Sequence, residues 1–294
     1  MNANVTCVAC LLNKEEQALR AFVDDEKKER YIQSVLKLLY DHGLKQSSPW
    51  LAMHLEQMRK EAYGQIIDYA PIKRKYNEYM LTIQETIDQS IRHSDDPIAA
   101  GIRYVCAGNY IDFGAMATVD DAILKTILTK AKTTPIDPKE LQAFKDDLEK
   151  GKEVVYFLDN CGEIVLDKLF IRLLKEKYPH LQIHACVRGK PILNDASMED
   201  AIEVGLTEVA ECIDTGAGAP GAVYSLMSDE TKEMVKKADV IISKGMGNFE
   251  GLHGEGFNPY YLFLCKCELF TRRFGLGLYD MVFVREERMK LLTK

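Results

Sequence analysis

Val154-Val155-Tyr156-Phe157-Leu158-Asp159-Asn160-Cys161-Gly162-Glu163-Ile164-Val165-Leu166-Asp167-Lys168-Leu169-Phe170 is the stretch that decides the fold class. Its first five residues are apolar or aromatic without a break, the pattern of a strand buried on both faces. Asp159 and Asn160 stand at its end, and Gly162 permits a tight turn. Ile164, Val165, Leu166, Leu169 and Phe170 then recur at helical spacing. In an open parallel sheet such a turn lies at the carboxyl end of the strands, where ligands bind. The turn offers oxygen donors and backbone N–H groups rather than imidazoles or clustered thiolates. That suits a hard divalent cation such as magnesium or manganese. Asp159 could equally cap the helix.

Downstream, strand and helix patterns keep alternating. The pattern predicts strands at 153–158, 182–187, 208–213, 239–243, 261–265 and 280–284. Helices are expected at 163–177, 198–204, 228–237, 248–252 and 267–274. Such alternation implies right-handed βαβ units, a mostly parallel sheet and three layers. Polar, glycine-containing loops follow each of the first four strands: Asp159-Asn160, Arg188 to Asp195, Asp214 to Gly221, and Ser243 to Glu250. All four fall on one edge of the sheet, and four together are hard to explain as turns only.

Upstream, everything before residue 150 reads as helix. Tyr31, Val35, Leu38 and Leu39 share a face, Ser48-Pro49 starts a helix, and a long helix spans about Pro71 to His93. Others run from Pro97 through Val105, from about Val119 to Lys132, and from Pro138 to Lys150. Gly151 marks the change of style, so two domains are expected: a helical one over 1–150 and a Rossmann-like α/β/α one over 151–294. Within the helical half, Gly108-Asn109-Tyr110-Ile111-Asp112-Phe113-Gly114 is either a helix-ending loop with Asn109 left-handed or a polar loop aimed at the cleft between domains.

The formal net charge of -7 argues against a nucleic-acid binder, and no apolar run approaches the roughly 20 residues of a membrane span. The N-terminal residues lack the basic and apolar regions of a signal peptide. Eight cysteines scattered through a chain of 294 residues point to a reducing, cytoplasmic setting.

Asp159, Asn160 and Asp195 can supply three oxygen ligands from neighbouring strand ends. Lys244, Lys266 and Arg188 can supply positive charge, and Gly216, Gly218, Gly245 and Gly247 allow backbone N–H groups near an anion. A hard metal, a lysine and exposed amides are what a phosphate ester needs. No Gly-Lys-Ser/Thr occurs, and Gly245-Met246-Gly247 lacks the third glycine of a dinucleotide fingerprint.

Leu158 to Ile164, Arg188 to Ala196, Ser243 to Glu250 and Gly108 to Asp112 together resemble the metal-dependent damage-control phosphatases, long catalogued as a domain of unknown function. The resemblance runs from Cys7 to about Gly277. Cys7-Val8-Ala9-Cys10 with Lys266-Cys267 is similar to the prokaryotic branch, marked by CxxC and Lys-Cys. It implies a helical domain on a Rossmann-like domain with the active site between them. It also implies a metal (magnesium, manganese, cobalt or nickel) on Asp159, Asn160 and Asp195, and Lys266 near the phosphate as part of the catalytic set. Lys244 and Asn248 would contact substrate, with Asn109, Asp112, Arg188 and Glu250 also on that side. The implied substrates are phosphate esters of sugars, related metabolites or damaged cofactors. Cys161 departs from the small residue, often alanine, expected there. Two rival functions stand beside this one: an S-adenosylmethionine-dependent methyltransferase, which would lack its usual glycine-rich first loop, and a non-catalytic metabolite-binding protein. Cys7 and Cys10 are either packing thiols or zinc ligands with Cys265 and Cys267. The oligomeric state is not legible.

Overall fold

The computed structural model describes residues 1–64, 67–114, 116 and 119–291. The chain opens with α1 (Val5–Leu19), α2 (Asp25–His42), α3 (Ser48–Tyr63), α4 (Ala70–Arg92), α5 (Pro97–Gly108), α6 (Asp121–Ala131) and α7 (Pro138–Lys150). Their starts are written in the sequence. Side chains of Asn4, Asp24, Ser47, Asp96, Asp120 and Asp137 each accept from a first-turn N–H, and proline opens α3, α5 and α7. There follow β1 (Glu153–Phe157), α8 (Glu163–Lys177), β2 (Gln182–Val187), α9 (Met198–Glu203), β3 (Glu211–Asp214) and α10 (Asp229–Lys237). The chain continues with β4 (Val240–Lys244), α11 (Gly245–Leu252), β5 (Tyr260–Leu264), α12 (Glu268–Phe274) and β6 (Met281–Arg285).

The sheet order is β3-β2-β1-β4-β5-β6, with β1 at the point where the order reverses. The pairs among β1 to β5 are parallel, and β6 returns antiparallel to β5. The reversal follows from the last connection. Its one helix, α12, has 7 residues and so rises only about 10 Å. The chain therefore comes back at the end where it left.

Three layers follow from the alternation along β1. Val154, Tyr156 and Leu158 face one cluster, with α4, α5 and α8, while Val155 and Phe157 face another, with Val235 of α10 and Leu252 of α11. Each such fully buried large side chain contributes about 1.5–3 kcal/mol. Gly101 of α5 lies against Phe170 of α8, where an added Cβ would sit 2.4 Å from the ring.

The first core cluster crosses residue 150. Tyr76, Met80, Ile87, Ile102, Val105, Phe144 and Leu148 belong to the same cluster as the strands. By contrast α1, α2 and α3 enclose a core of their own around Val35, Leu51 and Leu55. The change at residue 151 is thus one of secondary structure and not of packing.

Candidate active site

The sheet's carboxyl edge carries the polar set. Asp159 and Asn160 follow β1, and Gly162, at φ 70, turns the chain into α8. Gly162 is the N-cap of α8 and no side chain caps it, so Asp159 is released from that role. The Asp159 carboxylate is buried. Oδ2 accepts from Asn109 Nδ2 at 2.9 Å and Asn160 Nδ2 at 2.7 Å, and Oδ1 accepts from Arg188 Nη2 at 3.3 Å. Asp195, in the loop after β2, bridges to Asn160 through the backbone, and its Oδ2 accepts from Arg188 Nε at 2.7 Å. Gly245, at φ 80, lies directly over Asp159, where a Cβ would come 2.0 Å from Oδ2. Only glycine fits there, on both conformational and steric grounds.

Asn109 and Asp112 come from the end of α5. Asn109 has φ -62 and ψ -6, so the left-handed alternative does not hold; it ends α5 in right-handed helical geometry. Its carbonyl oxygen accepts from Lys266 Nζ at 2.7 Å, and Lys266 Nζ pairs with Asp112 Oδ2 at 2.5 Å. Asn194 ties this loop to the strand ends. It donates to Asn160 Oδ1 at 3.1 Å and Ile111 O at 3.2 Å, and accepts from Phe113 N–H at 3.0 Å. Cys161, the departure noted above, is buried and receives only a 3.8 Å contact from Asn194, so the thiol is accommodated.

Behind this set lies a second polar layer. Lys244 Nζ, wholly buried, donates to Val105 O at 2.9 Å, to Asp167 Oδ1 at 2.9 Å and to Glu163 Oε1. Asp167 also accepts from Tyr156 OH at 2.6 Å, and its Oδ2 has no hydrogen-bond partner among the described residues. Glu163 and Asp167 were not singled out from the sequence. An acid in a helix's first turn reads as ordinary dipole complementation. Asp167, set into the apolar run Ile164 to Phe170, was the available signal.

The remaining candidates divide. Arg188 spends its guanidinium on Asp159, Asp195 and Leu158 O (3.1 Å), holding the ends of β1 and β2 together. Asn248 donates to Leu158 O at 2.9 Å and Lys244 O at 2.6 Å and accepts from Ala222 N–H at 2.7 Å, so its amide ties loops to one another. Glu250 stands apart; the charged groups around it are the Met1 amine, Lys14 and Arg273. Gly247 of the proposed anion cradle is filled by protein, since a Cβ there would meet Pro220 O at 2.3 Å.

Charge tests whether a cation fits. Asp112, Asp159, Glu163, Asp167 and Asp195 face Arg188, Lys244 and Lys266, and the adjoining Lys73–Asp200 pair is balanced. Full ionisation would leave two formal negative charges, the complement of one divalent ion. Burial, then Glu163 and Asp195, pushes the Asp159 carboxyl well above the usual range. Burial likewise pushes Asp195 up to about 6, although Arg188 opposes it. Among the described residues no three His, Cys, Asp or Glu side chains are placed to hold a metal. Asn160, whose amide hydrogen-bonds Asp159, would be the neutral oxygen donor beside the two carboxylates. Two carboxylates and an amide oxygen are a hard-donor set.

The matching family model is the damage-control phosphatase ARMT1-like domain, over residues 3–282. The chain belongs to this family. It is 30% identical to a damage-control phosphatase of Archaeoglobus fulgidus over 287 residues, 96% of this chain and 98% of the relative. An uncharacterized protein of Methanocaldococcus jannaschii is 31% identical, covering 95% of this chain and 94% of the relative. The crystal structure of a DUF89 family protein from Pyrococcus horikoshii superposes with a TM-score of 0.81 at 23% identity, covering 97% of this chain and 99% of that one, which shows the shared fold.

Proposed function

We propose that this chain is a divalent-metal-dependent phosphatase acting on phosphate monoesters of sugars or of related, damaged metabolites. We place its active site where the end of α5 meets the carboxyl edge of the sheet. The observation that carries the reading is the convergence of Asp159, Asn160 and Asp195 in a buried set short of positive charge by two. Asp159, Asn160 and Asp195 would hold the ion (magnesium, manganese, cobalt or nickel). When bound, it supplies Lewis-acid polarisation of a phosphoryl oxygen and lowers the pKa of a water molecule. The chain's own residues do the rest. Arg188 keeps the two carboxylates at fixed spacing. Lys266, leaning on Asp112 and Asn109, places positive charge beside Asp159 for the phosphoryl oxygens. Asn109 holds Asp159 in orientation by its amide. The CxxC and Lys-Cys pairs support membership of the prokaryotic branch of the family, and free thiols support a cytoplasmic setting. No helix among the described residues is long and apolar enough to cross a membrane.

The test is phosphate release from a panel of sugar phosphates and p-nitrophenyl phosphate, with and without chelator. Chelator-sensitive release, lost in Asp159→Asn and Asp195→Asn, is expected. Metal-independent binding of S-adenosylmethionine with no phosphate release from any ester would overturn the reading in favour of a methyltransferase.

A further inference from the structure

Lys244 lies at the end of β4, in the loop that the family resemblance assigns to substrate. Its ammonium has three N–H bonds, and three protein acceptors take them: Val105 O, Asp167 Oδ1 and Glu163 Oε1. Nothing remains for a phosphate oxygen unless one of these bonds breaks in a fully buried site. The carboxylates it joins are four residues apart on α8, one turn of the same face.

What Glu163 does with its oxygens gives Lys244 another task. They collect Asn109 Nδ2 at 3.2 and 3.0 Å, Asn160 Nδ2 at 3.1 Å and Asn160 N–H at 3.4 Å. The same two amide nitrogens donate to Asp159 Oδ2. A side-chain amide has one donor end and one acceptor end, so holding the nitrogen between two carboxylates decides where the oxygen points. For Asn109 the oxygen turns to Leu264 N–H at 3.2 Å. For Asn160 it turns away from Glu163 and accepts from Asn194 Nδ2 at 3.1 Å, next to the residue whose backbone bridges to Asn160, Asp195. A neutral group in place of the Glu163 carboxylate could offer an N–H of its own and let the Asn160 amide flip. Its oxygen would then be lost as a ligand.

We infer that Lys244, backed by Asp167, is a positioning residue that fixes the Glu163 carboxylate and through it presents the amide oxygen of Asn160 as a metal donor. Lys244 itself does not bind substrate. The inference rests on the metal-dependent reading above, but its decisive measurement is ion binding without any substrate.

The test uses the full chain and manganese(II) alone, titrated by calorimetry, with p-nitrophenyl phosphate kinetics alongside. The double variant Lys244→Met/Asp167→Leu removes one buried positive and one buried negative charge together, which keeps the net charge of the cluster and leaves Glu163 held by amide donors alone. Expected is a folded protein whose manganese affinity falls about tenfold or more, as when a partner of a metal ligand is removed. At saturating metal, kcat falls and KM for the ester holds. Glu163→Gln should show the same pattern by flipping the amide. Wild-type manganese affinity with a raised KM in the double variant would instead make Lys244 a direct phosphate contact and overturn the inference. Should the double variant not fold, Asp167→Asn keeps the shape; a smaller loss of manganese affinity supports the inference, and an unchanged affinity overturns it. A wild-type chain that binds manganese but hydrolyses no ester would sink the phosphatase reading and leave the affinity comparison to decide this one.

Discussion

The two parts of the helical half are built differently. α4 to α7 have no core of their own; Tyr76, Met80, Val105 and Phe144 are buried in the same cluster as the strands. α1 to α3 close on Val35, Leu51 and Leu55, and Tyr31 and Arg59 both hydrogen-bond Glu15 inside that unit. α1 to α3 reach the rest at a seam. There Pro49 lies against Gly221, Lys14 donates to Gly114 O, and Met1 and Cys7 pack beside β5 and α12. A helix that shares the sheet's core should fail with the sheet, whereas a self-contained unit can open alone.

The largest effect expected is from Gly101→Val. Even the Cβ would sit 2.4 Å from the Phe170 ring, and overpacking of this kind costs ~3 kcal/mol or more. Thermal unfolding should drop as one transition with the sheet lost; loss of α5 protection while the strands stay protected would break the comparison. Leu51→Ala, in the other core, should cost about 2–5 kcal/mol locally. Hydrogen exchange should accelerate across α1 to α3 and leave β1, β4 and α8 as they were. Uniform acceleration would show that the three helices are not separable.

The seam gives smaller effects. Burial raises the Glu250 carboxyl from 4.5 to about 7, with the Met1 amine, Lys14 and Arg273 pulling the other way. The folded state therefore holds this proton more tightly than the unfolded one. Stability is full below about pH 4.5 and is lost as pH rises through about 7. Glu250→Gln should raise the melting temperature at pH 8, by at most ~2–3 kcal/mol of stability, and change nothing at pH 4. Equal melting at both pH values would remove Glu250 from the seam. Smallest is Cys7→Ser with Cys10→Ser, expected to cost about 1 kcal/mol and to leave metal-dependent turnover intact. One tightly held zinc per chain by elemental analysis, gone in that variant, would show a metal clasp at the seam instead of packed thiols.

How far the sequence could be read varies by element. The helix expected at 163–177 is α8 to the residue, because an unbroken apolar strand, a glycine turn and a helical stripe leave one solution. The strand expected at 208–213 is β3 at Glu211–Asp214. Val209 and Ala210 look like strand but pack in a turn, and the edge strand itself is half-exposed and so weakly patterned. From sequence alone, Gly245 and Gly247 of the Lys244 loop offer room for an anion. The loop is the start of α11, and Gly247 and Gly251 make room for Pro220 O and Ala222 O. A sequence shows that close approach is needed, not what approaches. Asp159, Asn160, Asp195, Asn109, Asp112 and Lys266 do come together, but Glu163 and Asp167 take their cation, Lys244, from far along the chain, and only an acid set into the apolar run at Asp167 hints at it.

The raised carboxyls of Asp159 and Asp195 make the site a proton store. Burial raises both carboxyls, Asp195 to about 6, so on the metal-dependent reading an ion would displace protons that they hold. Ion binding should therefore acidify the medium, by on the order of one proton per ion, and affinity should rise with pH. The apparent enthalpy of binding should also track the ionisation enthalpy of whichever buffer takes up the protons. Choice of buffer then becomes a probe of how many carboxyls the ion deprotonates.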